Sequence, residues 1–205
     1  MKRILALTLA VLMLAMCFVA CGKTEDPNTD DKNETVEPDY KSALELINKI
    51  FTGYNATATE ETMLYVVGGN MFNFETCNPE GPAEFVSLAD TDYNENLGIA
   101  VEDVAKIEGA ASMHNMMNAN MFTSYVIKVK ADADIDALAT ALKTNILARQ
   151  WICGAPDKLV IAKAPGNYLI VTWGVSVDGG IVNPYTESFA TVVPGSSIVV
   201  TETIA

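Results

Sequence analysis

Two short apolar runs joined by a tight turn constrain this chain more than any other feature. KLVIAK at positions 158–163 and YLIVTW at 168–173 flank Ala164-Pro165-Gly166-Asn167. Proline followed by glycine suits the two central positions of a type II turn, because proline fixes the first φ and glycine accepts a positive second φ. The pattern predicts a hairpin, so the fold has to contain antiparallel strands.

The segment before this hairpin is typical of a strand followed by a helix. FTSYVIKVK at 122–130 is rich in β-branched and aromatic residues, which favours a strand. The next stretch, 131–150, has acids in its first turn, as the helix dipole favours, and apolar residues at helical spacing. The apolar positions on that helical face are Ile135, Leu138, Leu142 and Ile146.

A second amphipathic helix is predicted over residues 40–54, where Ser42 and Glu45 have the spacing of a capping box. Further elements are predicted as strands at 63–67 and 197–203, a strand or short helix at 101–107 and a short helix at 184–189. A strand, a helix and a hairpin in succession indicate the α+β class. We therefore expect a mainly antiparallel sheet with one or two helices packed on one face, in a single domain over 40–205.

The first twenty residues have the plan of a secretory signal. Lys2 and Arg3 precede a charge-free apolar run from 4 to 20, and Ala20 stands directly before Cys21. This junction resembles the lipobox of bacterial lipoproteins, in which the cysteine receives a diacylglycerol and becomes the mature N-terminus. We predict a signal peptide over 1–20, lipid attachment at Cys21 and a location on the extracytoplasmic face of the cell membrane. The alternative is an uncleaved helical anchor.

Residues 22–39 are predicted to be a disordered acidic tether that follows the lipidated Cys21. They carry seven acids and two lysines, and Val36 is their one large apolar residue. Such a composition buries too little apolar surface to fold.

The charge balance excludes some partners. The chain has 26 acids against 13 cations, and removal of Lys2 and Arg3 leaves 13 − 2 = 11 cations and a net charge of 11 − 26 = −15. A strongly acidic protein is not expected to bind nucleic acid or anionic lipid headgroups. The expected partners are the membrane, through the lipid, and an unidentified protein or small molecule.

Several of these features together resemble a known family. An amphipathic helix after an acidic lipoprotein leader, a strand ending in IKVKADAD, a helix ending in LARQ and the hairpin APGNYLIVTWG occur in this order. They resemble an uncharacterised family of extracytoplasmic lipoproteins from Gram-positive, clostridia-like bacteria, a domain of unknown function. The resemblance covers about residues 40–175 and leaves 176–205 as an extension. It implies the location and the fold, and it supplies no catalytic residues.

Two cysteines, Cys77 and Cys153, lie in the predicted globular region. In an exported protein such a pair is a candidate for a disulfide, which would stabilise the fold by about 4 kcal/mol in the chain-entropy model. The alternative is two unpaired thiols, with Cys153 buried near the end of the second helix and Cys77 in a loop.

A methionine-rich stretch surrounds His114, the only histidine of the chain. Thioether and imidazole ligands suit Cu(I), and helical spacing would place Met113, Met117 and Met121 on one face. Core packing or a partner-binding groove requires the same spacing. We expect no bound metal or cofactor. If the chain does bind copper, His114, Met113, Met117 and Met121 are the candidate ligands.

Two acidic stretches raise the question of calcium. Asp132, Asp134 and Asp136 begin like an EF-hand loop, but Ala137 replaces the required glycine and Lys143 replaces the bidentate glutamate. A second oxygen-rich stretch consists of Asp90, Asp92, Asn94 and Asn96. We interpret it as a solvated turn, with a loose cation site as the alternative.

Catalytic motifs are missing from the sequence. A single histidine excludes HExxH zinc chemistry, and GxSxG, GxxxxGK and GxGxxG do not occur. The chain is therefore expected to be a non-catalytic binding or interaction module. The alternatives are an envelope enzyme that uses paired carboxylates or a cysteine with His114, and a Met/His copper-binding protein. An interaction module should expose an apolar patch, whereas an enzyme should show a concave polar pocket.

Overall fold

The computed structural model describes residues 40–71, 73, 75–85 and 90–204. These residues belong to one compact unit, Val36–Ala205. The predicted signal peptide, Cys21 and the whole of the predicted tether lie before the first described residue, so the structure does not bear on them. Within the described part of the chain, no helix has the length and apolar character that crossing a bilayer requires.

A seven-stranded antiparallel sheet forms the centre of the domain, which confirms the α+β class. Its strands are β1 (Val66–Gly68), β2 (Ala83–Glu84), β3 (Ile107–Asn115), β4 (Phe122–Val129), β5 (Lys158–Ala164), β6 (Tyr168–Gly174) and β7 (Ser197–Thr203). They lie in the order β1-β3-β4-β6-β5-β7, and β2 pairs with β3 beside β1. The hairpin expected from the sequence is β5–β6, where Gly166 has the positive φ of 80° that its turn requires.

The pairing of β4 with β6 joins the two hairpins, β3–β4 and β5–β6, into one sheet. Ser124 lies opposite Thr172, and their buried hydroxyls are hydrogen-bonded at 3.0 Å. The Tyr185 hydroxyl donates a further hydrogen bond of 3.0 Å to Ser124 Oγ. A shift of register would bury these polar groups without partners, so the triad favours one alignment of β4 with β6.

Helices cover both faces of the sheet, whereas the sequence led us to expect them on one. The described helices are α1 (Ala43–Asn55), α2 (Thr91–Asn96), α3 (Val101–Val104), α4 (Ile135–Leu147), α5 (Val182–Glu187) and α6 (Phe189–Val192). One core joins α1, α5 and α6 to one face of the strands, and a second core joins α2 and α4 to the other. The physical reason is that the central strands are apolar on both sides, so both sides need cover.

Side-chain caps explain where the two long helices begin. Ser42 Oγ accepts the Glu45 N–H at 3.1 Å, as the capping-box spacing predicts, and the Glu45 carboxylate accepts the Lys41 N–H at 3.1 Å. Asp134 Oδ1 accepts the N–H groups of Asp136 and Ala137 at 2.9 and 3.0 Å. The acids that begin like an EF-hand loop therefore include the cap of α4.

The largest difference from the expected elements concerns β3. The sequence predicts a strand or short helix at 101–107, whereas the structure has the single-turn helix α3 followed by a nine-residue strand, Ile107–Asn115. Met113 and His114 therefore lie in a strand, and the helical spacing considered for the methionines does not apply.

Candidate functional site

Exposed apolar side chains are concentrated at one end of the sheet. Six of the ten exposed large apolar side chains among the described residues lie there, and Met117 and Ile152 are 91% and 77% exposed. We call this set the apolar rim: Tyr65, Met116, Met117, Met121, Ile152 and Val177. A concentration of this kind is typical of a surface that binds another molecule.

Backbone hydrogen bonds hold the loops of the apolar rim together. The Met116 N–H donates to the Tyr65 carbonyl at 3.2 Å, and the Val175 N–H donates to the Met121 carbonyl at 3.0 Å. The rim is therefore built from neighbouring loops at one end of β1, β3, β4 and β6.

Two asparagines attach the loop that carries Ile152 to the methionine loop. Asn120 Nδ2 donates to the carbonyls of Ile152 and Gly154 at 2.6 and 2.7 Å, and Asn118 Nδ2 donates to the Cys153 carbonyl at 3.2 Å. Cys153 has a positive φ of 63°, unusual for a residue other than glycine. These side-chain contacts fix the position of an otherwise exposed turn.

Beside the rim is a cavity of about 400 Å³ between the end of α2 and the segment after α4. Its lining residues are Glu95, Asn96, Arg149, Gln150 and Ile152. The Arg149 guanidinium carbon lies 4.3 Å from the ring centroid of Trp151 and 5.7 Å from that of Trp173, and Nη1 donates to the Asn96 carbonyl at 2.7 Å. Partial burial lowers the pKa of Arg149, which nevertheless remains a cation at neutral pH.

A buried polar network lies in the same half of the domain. Tyr93 Oη is 2.8 Å from Ser112 Oγ and 2.8 Å from His114 Nε2, and it donates to the Gly69 carbonyl at 2.7 Å. His114 Nδ1 lies 3.0 Å from Thr123 Oγ1, which donates to a backbone carbonyl. A hydroxyl group therefore lies within hydrogen-bond distance of each ring nitrogen of His114, the only histidine of the chain.

Burial controls the charge state of this network. Burial is the main reason that the pKa of His114 is lowered from 6.5 to about 4, and the positive charge of Arg149 acts in the same direction. Burial also raises the pKa of the Tyr93 hydroxyl. At neutral pH the imidazole is uncharged and the phenol is protonated, so the network is a set of neutral hydrogen bonds.

The structure does not assemble the candidate copper ligands. Met113 is fully buried in the core on the α1 side of β3, while His114 lies on the other side because successive strand residues point to opposite faces. Met117 and Met121 follow in the exposed loop. No group of three or more His, Cys, Asp or Glu side chains suited to a metal ion occurs in the described part of the chain.

Cys77 and Cys153 are free thiols in the structure, so the disulfide considered from the sequence is not formed there. The two cysteines lie in different loops. Cys77 belongs to the turn after β1, and Cys153 to the loop that Asn118 and Asn120 attach to the methionine loop. Cys153 is exposed, not buried as the unpaired alternative supposed. The contacts of His114 with Tyr93 and Thr123 also leave neither nitrogen in a thiol–imidazole pair.

In the oxygen-rich stretch that begins at Asp90, the Asp90 side chain has a structural role. Asp90 Oδ1 accepts the Tyr93 N–H at 3.2 Å and caps α2, and its Oδ2 accepts from Asn70 Nδ2 at 2.7 Å. Asn94 is buried. The segment is therefore not the fully solvated turn that the sequence suggested.

A second cavity, of about 460 Å³, lies beside the start of α1. Its lining includes two acidic residues, Glu84 and Glu108, and two basic ones, Lys41 and Lys128. If the chain were an envelope enzyme that uses paired carboxylates, Glu84 and Glu108 would be candidates for the two acids.

Sequence reasoning missed the Arg149 cavity and the wider rim. It named the methionines of 113–121, but Tyr65, Ile152, Val177 and Arg149 come from distant segments that only the folded sheet brings together. Arg149 within LARQ was visible only as a cation near a helix end. Comparisons with protein-family models, with curated proteins and with solved structures find no match for this chain.

Proposed function

We propose that this chain is a lipid-anchored, extracytoplasmic protein whose folded domain has a non-catalytic binding role and binds a protein partner through the apolar rim. The observation that carries the proposal is the concentration of six exposed apolar side chains on adjoining loops. The anchor rests on the lipobox-like junction at Cys21. The resemblance to the family of extracytoplasmic lipoproteins is a prediction that points to the same location.

The chemistry of the apolar rim favours a protein as the occupant. Three of its six members are methionines, whose flexible thioethers adapt to apolar partner surfaces, and methionine and tyrosine are both enriched in interfaces. The chain as a whole is acidic, with 26 acids against 13 cations. We therefore infer a partner whose apolar contact surface is bordered by lysine and arginine.

Two other occupants fit less well. The chain's own residues 22–39 contain seven acids and a single large apolar residue, Val36, so they offer little to bury against six apolar side chains. An anionic membrane surface would be repelled by the net negative charge.

The position of Tyr40 supports the same conclusion. Its carbonyl accepts a hydrogen bond of 2.7 Å from the hydroxyl of Tyr168, at the start of β6, while the apolar rim lies at the end of β6 near Gly174. Strand geometry places these ends about 20 Å apart. A partner can therefore reach the rim without meeting the point at which Tyr40 joins the preceding chain.

Site-specific photocrosslinking in intact cells tests the proposal. A photoreactive amino acid at Met117 should give an adduct of one defined mass, whose protein component is identified by mass spectrometry. The same amino acid at the exposed Lys130, beyond the far end of β4, serves as the matched control and should give no such adduct.

A second substitution links the adduct to the rim. Ile152→Lys places a charge on a side chain that is 77% exposed, so folding should be unchanged while the Met117 adduct is lost. Binding of the purified, identified partner should weaken in the same variant. Equal labelling from Met117 and Lys130, or labelling that Ile152→Lys does not reduce, would overturn the proposal.

The envelope-enzyme alternative has its own location. A carboxylate hydrolase would use Glu84 and Glu108 in the second cavity. Hydrolysis of wall glycans by the purified chain, abolished by both Glu84→Gln and Glu108→Gln, would favour that alternative over a binding module.

A further inference from the structure

The Arg149 cavity contains two opposite charges that do not pair with each other. Arg149 and Glu95 both line the cavity of about 400 Å³, yet in the described part of the chain neither forms an ion pair within 4.0 Å. In a chain with twice as many acids as cations, a half-buried arginine without a carboxylate partner requires an explanation.

Stacking fixes the orientation of the guanidinium. Trp151 and Trp173 lie 4.3 and 5.7 Å from its carbon, and one hydrogen bond, from Nη1 to the Asn96 carbonyl, ties down one side of the plane. Arginine has five N–H donors in a rigid fork, so donors remain for a carboxylate. The rings also remove much of the entropic cost of ordering this side chain, which favours binding.

Glu95 brings a negative charge to the same cavity as Arg149. Its side chain is exposed at the end of α2, and its negative charge would oppose a simple anion in the same cavity. A ligand that also carries an ammonium group would instead be attracted by Glu95. Ile152, 77% exposed, offers an apolar surface next to both charges.

We propose that this cavity binds a small zwitterion, of which a free α-amino acid is the simplest member. Arg149 receives the carboxylate, Glu95 receives the ammonium group, and an apolar side chain lies against Ile152. This site is additional to partner binding by the apolar rim, with which it shares Ile152.

Calorimetric titration of the full-length chain in detergent at pH 7 tests the site, with the standard L-amino acids as probes. We expect apolar amino acids such as L-leucine to bind. N-acetyl-L-leucine lacks the ammonium group and L-leucinamide lacks the carboxylate, so each should bind at least about tenfold more weakly. Absence of binding by every amino acid up to about 10 mM would overturn the proposal.

Charge variants assign the two ends of the ligand. Arg149→Gln should abolish binding of L-leucine, and Glu95→Gln should weaken L-leucine while strengthening N-acetyl-L-leucine. Lys130→Gln and Glu187→Gln change the same charges away from the cavity and should leave the affinity unchanged. Since Glu95 is exposed, its variant remains informative even where Arg149→Gln fails to fold.

The outcomes separate this site from the rim. Affinity that is unchanged in both Glu95→Gln and a folded Arg149→Gln would overturn the zwitterion site, whatever the photocrosslinking shows. Photocrosslinking at Met117 that persists when no amino acid binds would leave the rim as the binding surface.

Discussion

The Tyr93 hydroxyl lies 2.8 Å from Nε2 of His114, and both side chains are buried. On the other side of the ring, Thr123 Oγ1 lies 3.0 Å from Nδ1 and donates its own proton to the Ala119 carbonyl. Hydroxyl oxygens therefore lie against both ring nitrogens, and the single proton of the Tyr93 hydroxyl goes to the Gly69 carbonyl at 2.7 Å.

The first prediction concerns the titration of this imidazole. The chain has one histidine, so a single Cε1–H resonance reports it in an NMR titration. We expect a midpoint near the lowered pKa of about 4. A midpoint near 6.5, the ordinary value, would contradict the buried network.

The second prediction concerns stability against pH. Because the pKa of His114 falls from 6.5 in the unfolded chain to about 4 in the folded one, the unfolded chain binds more protons between these values. The free energy of unfolding should therefore decrease as the pH falls from about 6.5 to about 4, by up to about 3 kcal/mol from this group. Above that window the histidine makes no contribution to the pH dependence.

Urea unfolding of the wild type and of His114→Gln, each at pH 7 and at pH 4.5, measures this contribution. The carboxylates titrate in both proteins, so the difference between the two pH dependences isolates the histidine. The variant should lose less stability on acidification. Equal losses in the two proteins would show that His114 does not resist protonation.

The third prediction uses two glycines of the same sheet. A Cβ on Gly68 would lie 2.2 Å from the Gly81 carbonyl oxygen and 2.3 Å from the Ala83 nitrogen, whereas a Cβ on Gly109 meets nothing within 4 Å. Gly68→Ala should cost at least about 3 kcal/mol, because backbone atoms have to move. Gly109→Ala should change the free energy of unfolding by no more than about 0.5 kcal/mol. Chemical denaturation of the two variants gives the comparison, and similar values would contradict the close approach at β1.

The fourth prediction is the reactivity of the two thiols. Cys153 is exposed and Cys77 is partly buried, and both are free. Without reductant, iodoacetamide should modify Cys153 first and Cys77 more slowly, and Cys153→Ser should remove the fast phase. An intact mass two hydrogens lower, with no alkylation in denaturant, would instead establish the disulfide.

The fifth prediction concerns the anchor. Cys21→Ala should release the protein from the membrane fraction, because the variant has no thiol at that junction to which the lipid could be attached. Cys17→Ala is the matched control and should leave the protein in the membrane fraction. Mass spectrometry of the wild-type N-terminus should find diacylglycerol on Cys21. Membrane association that survives Cys21→Ala would favour the uncleaved helical anchor.

The elements with strong local patterns were predictable from the sequence. Apolar spacing and caps located α1 and α4 to within a few residues, and Pro165-Gly166 located the β5–β6 hairpin. The late strand at 197–203 is confirmed as β7. In each case neighbouring residues carry the signal, so no tertiary information is needed.

The central strand β3 was not predictable in the same way. Its sequence, IEGAASMHN, has one β-branched residue, and burial between two layers makes it a strand. The Arg149 cavity was hidden for a related reason, since Asn96, Arg149, Trp151 and Trp173 are brought together only by the completed sheet.

The hydrogen bond between Ser124 and Thr172 has a consequence for the speed of folding. Each hairpin, β3–β4 and β5–β6, joins strands that are close in the chain and should form in about 1–10 μs. Joining β4 to β6 brings together residues that are 48 positions apart in the chain. The entropic cost of closing this loop therefore comes before the favourable contacts between the two strands are formed. We therefore expect the meeting of the two hairpins to limit the folding rate. Because this buried pair is satisfied in one register only, incorrectly aligned encounters should separate and begin again.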